Sequence, residues 1–112
     1  HLMRDQAKEK GWYFPSDLIH LNVSTITCVG FVEKFREIRD KKGKLMAFMD
    51  ISDENGTVSV TIFSDVYKSE YKALLGKIVV INGRVSIRNS EKNINLSKII
   101  AISWQFQVGN DL

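Results

Sequence analysis

From Thr25 onward, apolar and polar residues alternate with a period of two, and this alternation constrains the fold more than any other feature of the sequence. A period of two places successive side chains on opposite faces of a β-strand. Two polar segments with turn-forming residues interrupt the pattern, RDKKGK (39–44) and SDENG (52–56). Both are typical of hairpin connections. The first three alternating runs therefore predict an antiparallel meander.

One later segment, SDVYKSEYKALLGK (64–77), breaks the period of two, because its apolar residues recur at helical intervals. It predicts a helix of about three turns, with Ser64 or Asp65 as the N-cap and Gly76 closing the C-terminal end. Two further runs, residues 77–89 and 92–102, read as strands joined by a polar turn. Gly30 in the first strand and Gly83 in the fourth predict a bulge or a sharp bend.

The predicted element order is strand, strand, strand, helix, strand, strand. We therefore predict an all-β barrel with one helix, namely a five-stranded OB-fold (β-β-β-α-β-β) preceded by an N-terminal lead-in segment. An SH3-like barrel lacks a three-turn helix at this place, and an α+β sandwich remains the alternative.

The length of 112 residues predicts one domain. We expect a lead-in segment at residues 1–24, the OB-fold nucleic-acid-binding domain at 25–104 and a C-terminal tail at 105–112. The opening His1 to Met3 is typical of a cloning remnant, so we expect the chain to be a piece of a longer protein.

Composition argues against several classes of protein. The sequence has no apolar run approaching the roughly 20 residues of a membrane span and no signal peptide. With one cysteine and two histidines, it offers no disulfide, no metal-ligand spacing and no cofactor motif. We expect Cys28 to be a buried packing residue, and the acidic group Asp50, Asp53 and Glu54 to serve the backbone of a turn. A cytoplasmic, non-catalytic domain that makes no membrane contact is expected.

The basic residues are concentrated in two predicted loops. RDKKGK carries four cations and one anion, while RNSEKN (88–93) carries two cations and one anion. In OB-folds, ligands lie across strands two and three between these loops. The outward face of those strands should present Met46, Phe48, Thr57, Ser59, Thr61 and Phe63, because the alternating apolar residues are needed in the core. Bases stack on aromatic rings while cations follow the backbone of single-stranded nucleic acid.

The predicted nucleic-acid-binding residues are Arg36, Arg39, Lys41, Lys42, Lys44, Phe48, Phe63, Arg84, Arg88 and Lys92. Each also has an ordinary structural explanation. Lysines make any exposed hairpin tip soluble, arginines commonly end strands, Phe48 could lie at the barrel rim and Phe63 could pack beneath the helix start.

The sequence resembles a known family over residues 25–103. Its residues Gly30, Val32, Arg36, the KKGK turn, Met46 to Phe48, the acidic turn 53–56, Phe63 and Gly83 are similar to those of the OB domain near the C-terminal end of the polymerase (alpha) subunit of bacterial DNA polymerase III. Asp40 and Ser64 depart from that pattern, in which an uncharged residue and a proline are commoner.

This resemblance implies a single-stranded template contact in a replicative polymerase whose catalytic residues lie elsewhere. It implies binding roles for Arg36, Lys41, Lys42, Lys44 and Phe48, and more weakly for Arg84 and Arg88. The expected partners are single-stranded DNA and other domains of the parent polymerase, with a clamp or clamp loader as further candidates. The isolated domain is expected to be a monomer.

Two other classes of function stay open. An interaction module would dock another replisome subunit through Trp12, Trp104 and Phe106. A transfer RNA binder would read base edges and 2′-hydroxyl groups.

Overall fold

In the computed structural model, residues 2–102 are described, and their five strands close into a barrel with the neighbour order β1-β2-β3-β5-β4. The strands are β1 (Thr25–Arg39), β2 (Leu45–Ser52), β3 (Thr57–Ile62), β4 (Ile78–Arg88) and β5 (Glu91–Ile102). β3 and β5 pair in parallel, and the other neighbours are antiparallel. The predicted OB-fold is thereby confirmed. No helix in residues 2–102 is long and apolar enough to cross a membrane.

β1 is long enough to belong to both halves of the barrel. Its first half pairs with β4, from Thr25 to Phe31, and its second half pairs with β2, from Phe31 to Arg39. The register shifts by one residue between Val32 and Lys34, which is a β-bulge. Even-numbered residues of β1 therefore point into the core before the bulge and outward after it.

The bulge lies three residues beyond Gly30, so a bulge at Gly30 itself was wrongly predicted. Gly30 occupies a regular position opposite Val79. A Cβ atom there would lie 2.9 Å from the Cβ of Ile51, so glycine is needed for close packing rather than for a bend. The second predicted irregularity is confirmed, because the β4–β5 register shifts between Asn82 and Gly83.

The barrel core consists of the apolar residues that the alternation assigned to it. In β2 and β3 these are Ala47, Met49, Ile51, Val58, Val60 and Ile62, none of them more than 4% exposed. Cys28 lies in the same core. Burial, followed by the charges of Asp53 and Asp17, raises the pKa of its thiol to about 12, so the thiol stays protonated at neutral pH. Cys28 is a packing residue, as predicted.

The connection between β3 and β4 is shorter and tighter than the predicted three-turn helix. It contains a turn after Phe63 and a 3₁₀ helix at Ser69–Leu74, whose N-cap is Lys68 rather than Ser64 or Asp65. Gly76 does close it, with φ +82°.

Contacts with β1 explain the difference. The Gly76 N–H donates to the carbonyl of Val32, and the Val32 N–H donates to the carbonyl of Lys77, so the end of the segment is tied to β1 as a turn just before β4. Of the five apolar residues at helical intervals, Val66, Tyr67, Tyr71 and Leu74 pack on the core, whereas Leu75 is 51% exposed. The helical spacing predicted four of the five core contacts, but it was wrong for Leu75 and for the type of helix.

The lead-in residues pack against the barrel. Helix α1 (Leu2–Lys10) buries Ala7 against Val29 and Val80 on the outer surface of β1 and β4, and Trp12 is partly buried beside them. The Tyr13 N–H donates to the carbonyl of Thr27, and the Tyr13 carbonyl accepts from Val29. Tyr13 thus extends the sheet along the first half of β1.

A second lead-in element, the 3₁₀ helix at Pro15–His20, closes the adjoining end of the barrel. Pro15 and Leu18 are buried, and the Ser16 hydroxyl donates to Asp53 in the β2–β3 turn. The ammonium group of Lys92 donates to the carbonyls of Leu18 and Leu21. The lead-in residues are therefore hydrogen-bonded to β1, to the β2–β3 turn and to β5.

Candidate nucleic-acid interface

The outer surface of β2, β3 and the second half of β1 carries polar and aromatic side chains, and we call it the open face. Across it Arg36 lies opposite Phe48, and Phe48 lies opposite Thr61. Partners in neighbouring strands project to the same side of a sheet. The bulge at residue 33 turns Arg36 to this side, so it contributes directly to the composition of the open face.

Two arginines lie over the ring of Phe48. The guanidinium carbon of Arg36 is 5.4 Å from the ring centroid, and that of Arg88 is 5.9 Å away. Both distances fall within the range of cation–π attraction. Arg88 also donates from Nη2 to the Thr61 hydroxyl at 3.1 Å, so the β4–β5 hairpin reaches over the open face. Thr61 is only 1% exposed although it points outward, which is consistent with cover from Arg88.

A shallow groove of about 660 Å³ runs along this face. Its charged lining consists of three cations and two anions: Lys34, Arg36, Arg88, Glu33 and Asp50. Phe48, Ser59 and Leu75 supply aromatic, hydroxyl and apolar surface. The groove thus combines weak positive charge with a ring and hydroxyl groups, which suits a flexible anionic polymer with aromatic bases.

The loop between β1 and β2, Asp40–Lys44, stands at the end of the open face, and we call it the lysine loop. Its three lysines, Lys41, Lys42 and Lys44, are exposed. Gly43 takes φ +79°, a left-handed conformation that favours glycine. Arg39 donates to the Gly43 carbonyl at 2.7 Å and so helps to fold the loop.

Asp40 organises the lysine loop from within. Its Oδ1 accepts hydrogen bonds from the backbone N–H groups of Lys42 and Lys44, both at 2.9 Å. The Lys44 N–H, the Lys42 N–H and the Ser64 hydroxyl hold the pKa of this carboxyl below its usual value. Asp40 and Ser64 are the two positions at which the sequence departs from the family pattern, and Ser64 contributes to the lowered pKa of Asp40.

The predicted binding residues do not all lie in one place. Arg36, Phe48 and Arg88 meet on the open face, beside the lysine loop with Lys41, Lys42 and Lys44. Arg84 is exposed on the same side of β4 as Arg88, since the two residues are four positions apart in a regular part of the strand.

The remaining predicted residues lie differently. Phe63 follows β3 with 47% of its surface exposed, so it does not pack beneath a helix. Arg39 folds the loop, and Lys92 lies on the other side of the β4–β5 hairpin, bonded to lead-in carbonyls. Lys34 lines the groove but was not predicted, because only the bulge turns it outward.

Of the aromatic residues considered for a protein-interaction role, Trp12 packs into the small core around Ala7, Val29 and Val80. Trp104 and Phe106 lie outside the described residues.

Comparison with known proteins identifies the class. The sequence profile of the OB-fold nucleic acid binding domain family matches residues 26–102, and the chain belongs to that family. It is a nucleic-acid-binding OB domain, a class that is typically non-catalytic.

Two particular relatives sharpen this result. The chain is 32% identical over 63 residues to the DNA polymerase III subunit alpha of Pseudomonas fluorescens, a match that covers 55% of the chain and 5% of that protein. Its fold is similar to that of the mitochondrial single-stranded DNA binding protein Rim1 of S. cerevisiae, with a TM-score of 0.53 and 15% identity over 71% of the chain and 94% of Rim1. The match to the alpha subunit agrees with the resemblance seen in the motifs.

Proposed function

We propose that this domain binds single-stranded DNA without sequence preference and contacts the template strand within a replicative DNA polymerase. The observation that carries the proposal is the convergence of Arg36, Phe48 and Arg88 on one open face, next to the exposed lysine loop. The likeness to part of a polymerase III alpha subunit supports the choice of parent protein. The domain itself contributes binding, not catalysis.

The geometry suggests a division of labour between the two parts of the interface. On the open face, bases stack on Phe48 and on the guanidinium planes that lie over it, each contact contributing about 1 to 3 kcal/mol. Ser59 offers a hydroxyl group to base edges or sugars. The lysine loop provides exposed ammonium groups that can contact phosphates. Contacts to phosphates carry no sequence information.

The charge of the interface limits the affinity. The groove has only one net positive charge in its lining, so most of the electrostatic attraction comes from Lys41, Lys42 and Lys44. Each phosphate neutralised contributes about −0.7 to the slope of log affinity against log salt concentration. With three lysines and one arginine engaged, the slope of log affinity against log salt concentration is about −3. The affinity of the isolated domain is micromolar or weaker.

Fluorescence anisotropy with a labelled oligothymidine of about 20 nucleotides, at two salt concentrations, tests the proposal. The key variant changes Lys41, Lys42 and Lys44 to Glu. A matched control changes Lys8, Lys10 and Lys98 to Glu, since these lysines are exposed on α1 and β5 and the change in net charge is identical. We expect salt-sensitive binding by the wild type, loss of binding in the lysine-loop variant and a modest reduction in the control.

Failure of the folded wild type to bind at low salt would overturn autonomous binding of single-stranded DNA. Equal losses in the two triple variants would show that net charge alone attracts DNA and that the lysine loop is not its site. A competition arm separates DNA from RNA ligands: transfer RNA that displaces the oligothymidine at equal nucleotide concentration would favour a transfer RNA binder.

A further inference from the structure

A carboxylate in the middle of a cationic binding loop calls for an explanation. In the lysine loop, Asp40 reduces the positive charge that is available to phosphates. The same side chain accepts two backbone hydrogen bonds, from Lys42 and Lys44. The backbone of Asp40 adds two more, since its N–H donates to the Lys44 carbonyl at 2.8 Å and its carbonyl accepts from Gly43 at 2.9 Å. Every residue from Asp40 to Lys44 except Lys41 is thus bonded through Asp40.

We infer that Asp40 is a positioning residue for nucleic-acid binding, which holds the lysine loop in one conformation so that its ammonium groups project together beside the open face. This inference rests on the proposed function. A loop that is already ordered loses less conformational entropy when a ligand binds. The gain from order offsets the electrostatic cost of one anion.

Ser64 connects this ordered loop to the rest of the interface. The Ser64 side chain is among the groups that hold the pKa of the Asp40 carboxyl below its usual value. Ser64 lies two residues after the end of β3, the strand that carries Ser59 and Thr61. Asp40 therefore fixes the shape of the lysine loop, and we expect Ser64 to relate that shape to the open face.

A purely electrostatic role and a positioning role for Asp40 predict different DNA affinities for two variants that carry the same charge. Asp40→Asn removes the anion but keeps an Oδ1 that can accept from Lys42 and Lys44. Asp40→Ala removes the anion and the acceptor together. If charge alone matters, both variants bind DNA equally well and more tightly than the wild type.

Anisotropy titrations of oligothymidine with the full chain, at two salt concentrations, compare these variants directly. We expect Asp40→Ala to bind about fivefold more weakly than Asp40→Asn at each salt concentration, as the loss of a net hydrogen bond or two would give. The two salt slopes should agree, because the same phosphates are contacted. Ser64→Ala, which alters no charge, should weaken binding by about twofold relative to the wild type.

A second measurement reads the order of the loop without DNA. Backbone ¹⁵N relaxation should give order parameters of about 0.8 for residues 41–43 in the wild type and in Asp40→Asn, falling below about 0.6 in Asp40→Ala. Thermal unfolding confirms that all three proteins are folded.

Each outcome decides the matter. Equal affinity of the Asn and Ala variants overturns the inference and leaves the proposed function standing. A disordered loop in Asp40→Ala with undiminished affinity also overturns it, because order would then not affect binding. A folded wild type that does not bind oligothymidine overturns the proposed function and this inference together.

Discussion

The two halves of the barrel present very different outer faces. On the half formed by β4 and the first part of β1, the outward side chains Val29 and Val80 are apolar and covered by Ala7 of α1. On the open face, the outward side chains include Arg36 and Phe48. Within residues 2–102, neither side chain belongs to an apolar core cluster. An apolar outer face needs a cover, whereas a polar one is stable in water and free to bind a ligand. In this barrel, one part of the outer surface is buried beneath a helix and another part is free to bind a ligand.

The largest difference between the halves should appear when the same charge is placed on each. Val80→Asp puts a carboxylate at a site with 0% exposure and should destabilise the protein by more than about 3 kcal/mol. Ser59→Asp, on the exposed open face, should cost less than about 1 kcal/mol. Chemical denaturation measures both. Similar losses of stability would contradict the distinction between a covered and an open half.

A second comparison uses two phenylalanines on opposite sides of the same sheet. Phe48→Leu should lower the affinity for single-stranded DNA by about tenfold, because a stacking surface and the support for two arginines are lost. Its control, Phe35→Leu, removes a ring 6.3 Å from that of Tyr67 on the inner side. That variant should lose about 1 kcal/mol of stability and little affinity. The assignment of Phe48 fails if the two variants bind DNA equally well.

Lys92 and Arg88 belong to one hairpin but serve different halves. Lys92→Met should leave DNA affinity within about twofold of the wild type and cost about 1 kcal/mol of stability, because two hydrogen bonds to Leu18 and Leu21 are lost. Arg88→Met should do the reverse. Anisotropy and denaturation on the two variants decide between them, and a Lys92 variant that binds as poorly as the Arg88 variant would restore Lys92 to the interface.

The smallest effect concerns Glu37, the neighbour of Arg36 that points to the other side of β1. A hydrogen bond from the Tyr67 hydroxyl at 2.6 Å, then the ammonium of Lys72, holds the pKa of Glu37 below 4.5. A carboxyl with a lowered pKa in the folded state contributes stability above its ordinary pKa and loses it as the pH falls. Glu37→Gln should therefore flatten the decline of the melting temperature below pH 4.5, with DNA affinity unchanged at neutral pH.

For that comparison, melting temperatures of wild type and variant are measured from pH 7 to about pH 3. Parallel curves across this range would show that Glu37 does not contribute to acid sensitivity.

The barrel could be predicted because its pattern is local. In β2 and β3 every second residue points inward, so the buried Met49 and Val60 were assigned correctly, although Met46 was expected on the outer face and is only 8% exposed. The convergence of Arg36 and Phe48 was within reach for the same reason, since hairpin register places them opposite each other.

The features that escaped prediction depend on contacts distant in sequence. Lys92 bonds to carbonyls 71 and 74 residues away, which no pattern around position 92 reveals. The 3₁₀ helix at Ser69–Leu74 is shaped by backbone bonds to Val32, whereas its side-chain spacing resembles that of an α-helix. Lys34 was missed because the site of the bulge in β1 is set by how the barrel closes.

That bulge has an evolutionary consequence. Between Val32 and Lys34 one extra residue exchanges the inward and outward positions of everything that follows in β1. The exchange concerns the count along the chain and not the pairing, because the hairpin with β2 keeps Arg36 opposite Phe48 and Phe35 opposite Met49 whether or not the extra residue is present. Loss of the extra residue would therefore straighten β1 and keep Arg36 outward, whereas loss of one residue from a regular part of the strand would exchange inward and outward side chains in a single step.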